Sequence, residues 1–132
     1  MTGPRTIVVA DDDLLFSTRI EAGLVRQGHR PAVVRTAAAF ERALRERPDA
    51  AVVNLAASSL DAIEAIRRAK GNPVTRSIPM LGFCGHADAA RRRAAQDAGC
   101  DRVATNGEVS SNLARLLEML LGGVPATEQR SD

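Results

Sequence analysis

Three consecutive aspartates are the residues of this sequence best suited to chemistry. Asp11, Asp12 and Asp13 follow directly after an apolar, β-branched run at 6–10. Clustered carboxylates at the end of a strand favour a hard cation such as Mg²⁺, which prefers oxygen ligands. The alternative is that these acids cap the helix that follows, because negative charge suits the positive end of a helix dipole.

A polar residue also ends the most apolar stretch of the chain. Positions 49–55 are short and rich in valine and alanine, which predicts a strand buried on both faces, and Asn54 lies where this run gives out. Ligands and chemistry gather at the carboxyl ends of strands in open parallel sheets. The uncharged amide of Asn54 at such a position therefore bears directly on the function of the chain.

Short apolar runs alternate with segments of helical periodicity along most of the chain. The runs predicted to be strands lie at 6–10, 31–34, 49–55, 78–83 and 102–105. This alternation predicts a three-layer α/β fold, in which a doubly wound, five-stranded parallel sheet lies between helices and the crossovers are right-handed. We expect one domain at 1–123 and a polar C-terminal tail at 124–132.

Helix starts follow from the same pattern. After the aspartates, apolar or small residues recur at helical spacing at Leu14, Thr18, Ala22 and Val25, and Gly28 suits the end of that helix. Later helices are predicted to begin at Thr36, at Ser58 or Ser59 and near His86, and the last helix carries a leucine stripe.

The composition excludes several classes of protein. The 132 residues are 45% apolar and 26% charged, as in an ordinary soluble domain. No run approaches the roughly 18 apolar residues of a membrane span, and the first residues lack the apolar core of a signal peptide. A net charge of +2 and 2% aromatic residues disfavour nucleic-acid binding. Cys84 and Cys100 fit neither a disulfide framework nor a zinc spacing, so we expect a cytoplasmic setting.

Five segments in order resemble the receiver domain of bacterial response regulators. These segments lie at 7–13, 48–55, 60–62, 78–79 and 98–101, and the resemblance extends over roughly 5–121. It implies a flavodoxin-like, CheY-like (βα)5 fold and a role in two-component signalling. It also places the acidic pair of receivers at Asp11 and Asp12.

The departures from the receiver pattern fall on the residues that carry its chemistry. Where receivers have a phosphoaccepting aspartate, a hydroxyl residue and a lysine, this chain has Asn54, Cys84 and Asn106. An amide is a poor nucleophile, and the loss of the lysine removes an electrostatic clamp on the phosphoryl group. The resemblance therefore implies a degenerate phosphorylation site with no catalytic residue and at most a weak Mg²⁺ site at Asp11 and Asp12.

The densest run of charge is Arg91, Arg92 and Arg93 on the predicted fourth helix. Most such runs are solvated faces. In receivers, the fourth helix, fifth strand and fifth helix form the usual docking surface. The resemblance thus implies a partner-binding face that contains the three arginines, Val103 and Leu116.

We interpret the chain as a pseudo-receiver that is not an enzyme and that acts by phosphorylation-independent protein–protein interaction. The expected partner is another signalling protein, such as a histidine kinase, a regulator or an effector, and a homodimer is a second use of the same face. Two alternatives remain on this fold. One is a module that senses a cation or small molecule near Asp11, Asp12 and Asn54. The other is a phosphatase-like enzyme with Asp11 or Asp12 as nucleophile, for which the hydroxyl and lysine partners are missing.

Overall fold

The computed structural model describes residues 3–122 and shows strands and helices in strict alternation. In chain order these are β1 (Thr6–Ala10), α1 (Leu14–Arg26), β2 (Arg30–Val34), α2 (Ala37–Arg45), β3 (Ala50–Asn54), α3 (Ala62–Lys70), β4 (Met80–Cys84), α4 (Ala89–Asp97), β5 (Arg102–Thr105) and α5 (Asn106–Leu120). All strand pairs are parallel, and the sheet order is β2-β1-β3-β4-β5. The predicted doubly wound sheet is confirmed, with β3 at its centre. The predicted tail at 124–132 lies outside the described residues.

Two apolar clusters cover the two faces of the sheet. Side chains of β3 alternate between them, since Ala51 and Val53 belong to one cluster and Ala50 and Val52 to the other. Helices α1 and α5 pack on one face, and α2, α3 and α4 on the opposite face. The prediction of a central strand buried on both faces is confirmed, and only Asn54 at its end is part-exposed.

Two predicted helix starts were wrong. Helix α3 begins at Ala62, after Asp61 with a φ of 47°, and not at Ser58 or Ser59. Helix α4 begins at Ala89, where the Asp88 side chain accepts a hydrogen bond from a first-turn backbone N–H, and not near His86. The loops after β3 and β4 are therefore longer than predicted, and they place more polar groups at the carboxyl edge of the sheet. Strand β4 also starts and ends later than predicted.

The buried face of α1 differs from the periodicity that predicted the helix. Its buried residues are Ser17, Ile20, Gly23 and Leu24. Leu14 and Val25 are instead 68% and 59% exposed. The helix carries apolar residues on two sides, so the spacing identifies a helix without choosing which side faces the sheet.

Gly82 of β4 lies very close to the side chain of Leu55, the residue that follows Asn54. A Cβ atom at Gly82 would lie 2.9 Å from Cδ2 of Leu55 and 3.1 Å from its Cγ and Cδ1. Leu55 is only 4% exposed, so its side chain has little room to move. We expect Gly82→Ala to lower the free energy of unfolding by about 1–3 kcal/mol, measured by urea denaturation. In a Leu55→Ala background the same substitution should cost almost nothing, and an unchanged cost there would contradict the steric explanation.

Candidate functional site

Asp11 and Asn54 meet at the carboxyl ends of the neighbouring strands β1 and β3. Nδ2 of Asn54 donates to Oδ1 of Asp11 at 2.8 Å, and Oδ1 of Asn54 accepts from the backbone N–H of Ala56 at 2.9 Å. Each end of the amide thus has the partner that its polarity requires, which sets its orientation. These two hydrogen bonds hold the amide in place at the end of β3.

Asp11 is a fully buried carboxyl group with one unpartnered oxygen. Its Oδ1 also accepts from the backbone N–H of Asp13 at 2.9 Å. Its Oδ2 is buried and has no hydrogen-bond partner within residues 3–122. Burial raises the pKa of Asp11 above its ordinary value, and this outweighs the opposing effect of the hydrogen bonds from Asn54 and Asp13. The ionised form of Asp11 is therefore costly in the folded protein.

Because the pKa of Asp11 is raised, the effect of an Asp11→Asn substitution on the free energy of unfolding should depend on pH in a defined direction. Protonated Asp11 is the better tolerated form, so its contribution to stability is present below about pH 4 and is lost as pH rises through the folded pKa. The introduced amide keeps an acceptor for the existing hydrogen bonds and removes the charge. We expect the variant to have a higher free energy of unfolding than wild type at neutral pH, where the buried carboxylate of wild type is charged.

The measurement is urea denaturation at several pH values. The advantage of Asp11→Asn should shrink as pH falls and wild-type Asp11 becomes protonated. Asp97→Asn, at an exposed position on α4, is the control and should show no such trend. A difference between Asp11→Asn and wild type that stays constant with pH would contradict the expectation.

Asp12 turns toward the β3–α3 loop. Its Oδ2 accepts from the backbone N–H of Ser59 at 3.0 Å and from Oγ of Ser59 at 2.8 Å, with Oγ of Ser58 at 3.5 Å. The hydrogen bonds from the Ser59 backbone and side chain hold the pKa of Asp12 below its ordinary value. The sequence pattern did not predict these serines as partners of Asp12. The signal for them was two consecutive hydroxyl residues at the edge that Asn54 marks.

The third aspartate has a different role. Oδ1 of Asp13 accepts from the backbone N–H of Phe16 at 3.0 Å, which caps the first turn of α1. Of the two interpretations of the acidic run, the helix cap is confirmed for Asp13. Asp13 caps the helix, while Asp11 and Asp12 belong to the edge of the sheet.

The donor set of this edge suits a divalent cation only in part. One oxygen of Asp11 and one of Asp12 already accept hydrogen bonds, and Asn54 turns its N–H toward Asp11. The unpartnered Oδ2 of Asp11 is the feature that fits a cation. Within residues 3–122 no group of three or more His, Cys, Asp or Glu side chains is placed to hold a metal. The two carboxylates are thus only partly free to act as oxygen ligands.

Cys84 and Asn106 lie at the same edge, on the far side of β3. Cys84 ends β4 and is 1% exposed, with Sγ 3.9 Å from the carbonyl oxygen of Asp88. Burial raises the pKa of its thiol, so this side chain is a packed thiol rather than a thiolate nucleophile. Asn106 is exposed at the start of α5, and Thr105 and Glu108 form a capping box there.

The arginine run lies on α4. Arg91 and Arg93 are exposed, whereas Arg92 is part-buried and donates from Nη2 to the carbonyl oxygen of His86 at 2.8 Å. Arg91 forms an ion pair with Asp88. The exposed guanidinium groups give this helix a basic outer surface.

Leu116 requires a correction, because it does not lie on an accessible face. It is 7% exposed and belongs to the apolar cluster that α1 and α5 form against the sheet. The leucine stripe of α5 points inward, so the side chain of Leu116 packs in the core instead of forming part of an exposed face. Val103 is part-buried and packs against the opposite cluster.

A cavity of about 180 Å³ lies between α2 and α3, away from the acidic edge. Its apolar walls include Phe40, Leu44, Ala65 and Ala69. None of the aspartates or asparagines predicted as site residues lines it. It therefore gives no support to ligand sensing at the carboxyl ends of the strands.

No helix between residues 3 and 122 combines the length and apolar character that a membrane span requires.

Comparison with known proteins places the fold. No protein-family model and no curated protein matches the sequence. The receiver domain of a sensor histidine kinase from Pseudomonas aeruginosa, with a magnesium ion coordinated in its active-site cleft, is 23% identical with a TM-score of 0.81, covering 91% of this chain and 99% of that one. The signal receiver domain of a histidine kinase from Syntrophus aciditrophicus is 24% identical with a TM-score of 0.80, covering 97% and 98%.

A third similar structure is the receiver domain of NtrX from Brucella abortus. It is 16% identical with a TM-score of 0.79, and the match covers 89% of this chain and 99% of that domain. The resemblance seen in the sequence thus holds at the level of three-dimensional structure. This chain has the CheY-like fold of response-regulator receiver domains.

Proposed function

We propose that this chain is a pseudo-receiver, a signalling domain of the two-component type that binds another protein without being phosphorylated. The observation that carries the proposal is the amide of Asn54 at the end of β3, engaged with Asp11 on one side and Ala56 on the other. An amide is a poor nucleophile and forms no stable acyl phosphate. The position that would accept a phosphoryl group thus offers no suitable atom.

The groups that would assist phosphoryl transfer are also replaced. Cys84 is a buried thiol, which is a weaker hydrogen-bond partner than a hydroxyl group. Asn106 carries no charge, so no ammonium group from that position stabilises phosphoryl oxygens. With these two replacements, a different acceptor at the same edge would also lack the groups that assist phosphoryl transfer.

The proposed Mg²⁺ site is weak and has no role in a reaction. Asp11 and Asp12 would hold the ion, and its charge would offset the two carboxylates. A full receiver site contributes a third carboxylate, which Asn54 replaces here. In this proposal the cation would therefore neutralise charge at the edge of the sheet without taking part in a reaction.

The phosphatase-like alternative is weakened by the state of both aspartates. Asp11 is fully buried and bonded to Asn54, which leaves it poorly placed to attack a substrate. Asp12 is bonded to Ser59 through the same carboxylate that would have to act as nucleophile. We therefore propose a binding function and no enzymatic one.

The partner that we propose is a signalling protein, such as a histidine kinase, a regulator or an effector, in the cytoplasm. The basic surface of α4, formed by Arg91 and Arg93 with Arg92 beside them, suits an acidic patch on that partner. A second copy of this chain is the alternative occupant that we propose for the same surface.

The proposal is tested by intact-mass measurement after incubation with acetyl phosphate and Mg²⁺. An unchanged mass supports it. A phosphoryl adduct on any aspartate of the acidic edge would contradict it.

A further inference from the structure

Ser59 joins three loops at the carboxyl edge of the sheet. Its backbone N–H and its hydroxyl group point to Oδ2 of Asp12 at 3.0 and 2.8 Å, and the same Oγ lies 3.1 Å from the carbonyl oxygen of Arg35. The hydroxyl group has one hydrogen, so it donates to one of these acceptors at a time, while the backbone N–H remains on Asp12. We call Asp12, Ser59 and the Arg35 carbonyl group the serine clasp.

The serine clasp uses the carboxylate that a cation would need. Mg²⁺ requires oxygen ligands in a near-octahedral arrangement at short distances. Oδ2 of Asp12 accepts from the backbone N–H of Ser59, and from its hydroxyl group whenever that group is not turned to Arg35. These hydrogens carry positive partial charge on the side of the carboxylate that faces the β3–α3 loop. A cation that binds Oδ2 of Asp12 therefore competes with the intact clasp for that oxygen.

We propose that Ser59 is a positioning residue that holds Asp12 against the β3–α3 loop and thereby weakens divalent-cation binding at the acidic edge. The inference rests on the weak Mg²⁺ site of the proposed function, and it concerns the chain's own hydrogen bonds and not phosphoryl transfer. Asn54 acts in the same direction at the other carboxylate, where it turns an N–H toward Asp11. Hydrogen-bond donors of the chain itself thus stabilise much of the negative charge that a bound cation would otherwise neutralise.

The size of the effect follows from the bond that is removed. Ser59→Ala loses the hydroxyl group and keeps the backbone N–H, so only part of the clasp is broken. The loss of one hydrogen bond to a charged group corresponds to roughly a tenfold change in an equilibrium constant. We expect Ser59→Ala to bind Mg²⁺ roughly tenfold more tightly than wild type.

The experiment is a titration of the ¹⁵N-labelled full chain with MgCl₂, in which the amide signals of residues 11–13 and 58–60 report binding. Ser59→Thr keeps the hydroxyl group and should restore the wild-type Kd. Ser58→Ala is the matched control, because its hydroxyl group is 3.5 Å from Asp12, and its Kd should stay within roughly twofold of wild type. Ser59 is exposed, so the remaining amide signals should show an unchanged fold in each variant.

Three results would overturn the inference. The first is equal Mg²⁺ affinity in wild type and Ser59→Ala. The second is equal tightening in Ser58→Ala and Ser59→Ala, which would indicate a general effect of the loop. The third is the absence of Mg²⁺-dependent shifts in all variants. Since no phosphoryl donor is present, none of these results bears on whether the chain is phosphorylated.

Discussion

We expect acetyl phosphate to leave the wild-type chain at its unmodified mass and to add one phosphoryl group to an Asn54→Asp/Asn106→Lys variant. The wild-type result follows from the amide of Asn54, which offers no nucleophilic carboxylate at the end of β3. The variant restores the nucleophile and also supplies an ammonium group that stabilises charge on the phosphoryl oxygens. Measurement is by intact-mass spectrometry with and without Mg²⁺, and peptide mapping should place the adduct at position 54.

The single substitutions separate the two contributions. Asn54→Asp alone should label more slowly than the double variant, because the new carboxylate stands where Nδ2 of Asn54 lies 2.8 Å from Asp11 and like charges repel there. Asn106→Lys alone should not label at all, since it has no acceptor. Adding Cys84→Thr to the double variant supplies the hydroxyl group and should increase the rate further.

The contradicting outcomes are equally specific. A phosphoryl adduct at Asp11 or Asp12 of the wild type would overturn the proposed pseudo-receiver, since another carboxylate would then do the chemistry. An unlabelled double variant with an intact fold would show that the loss of reactivity has a further structural cause. The serine clasp is the first candidate for that cause, because it withholds Asp12 from Mg²⁺, and adding Ser59→Ala tests it.

The parts of the structure that were predictable from sequence are those set by the alternation of apolar runs and helical segments along the chain. The apolar run before Asp11 and the one that ends at Asn54 place both side chains at the same sheet edge, because parallel strands end together. Their contact at 2.8 Å follows from neighbouring strands in one register. The resemblance to receivers then implies a strand order in which β1 and β3 are neighbours.

The parts that were not predictable depend on loop geometry and on the choice between helix faces. Ser59 reaches Asp12 because the loop after β3 continues to Asp61, whose left-handed backbone delays the start of α3. No local pattern distinguishes that loop from an earlier helix start capped by a serine. Leu116 was misplaced for a related reason, since a leucine stripe predicts a helix face but not whether that face is covered.

Charge reversal on α4 should abolish partner binding while leaving the fold intact. We expect Arg91→Glu/Arg92→Glu/Arg93→Glu to recover its signalling partner at least roughly tenfold less efficiently than wild type, because an acidic surface that attracted three guanidinium groups would meet three carboxylates. The measurement is affinity purification of the tagged full chain from its native cells, with quantitative mass spectrometry of the proteins recovered. The partner is a protein recovered with wild type and lost specifically with this variant.

The fold of α4 should tolerate this change for identifiable reasons. The carboxylate introduced by Arg91→Glu would lie in the first turn, where negative charge suits the helix dipole, and the ion pair that Arg91 makes with Asp88 is exposed and worth little. In the triple variant, the carbonyl oxygen of His86 loses its hydrogen bond from Arg92 and is hydrated instead. An Arg91→Glu/Arg93→Glu variant keeps that hydrogen bond and therefore isolates the effect of the surface charge.

A charge-matched triple variant on α2 and α3 decides whether the surface or the net charge matters. Arg42→Glu, Arg45→Glu and Arg68→Glu change exposed arginines by the same total charge, on helices that pack with α4 on the same face of the sheet but present other surfaces. If both triple variants lose the partner equally, the interaction depends on the overall field of the protein and α4 is not the docking face. If only the α4 variant loses it, recognition depends on the basic surface of α4. A homodimer on that face would appear as a loss of self-association in the same variant, measured by sedimentation.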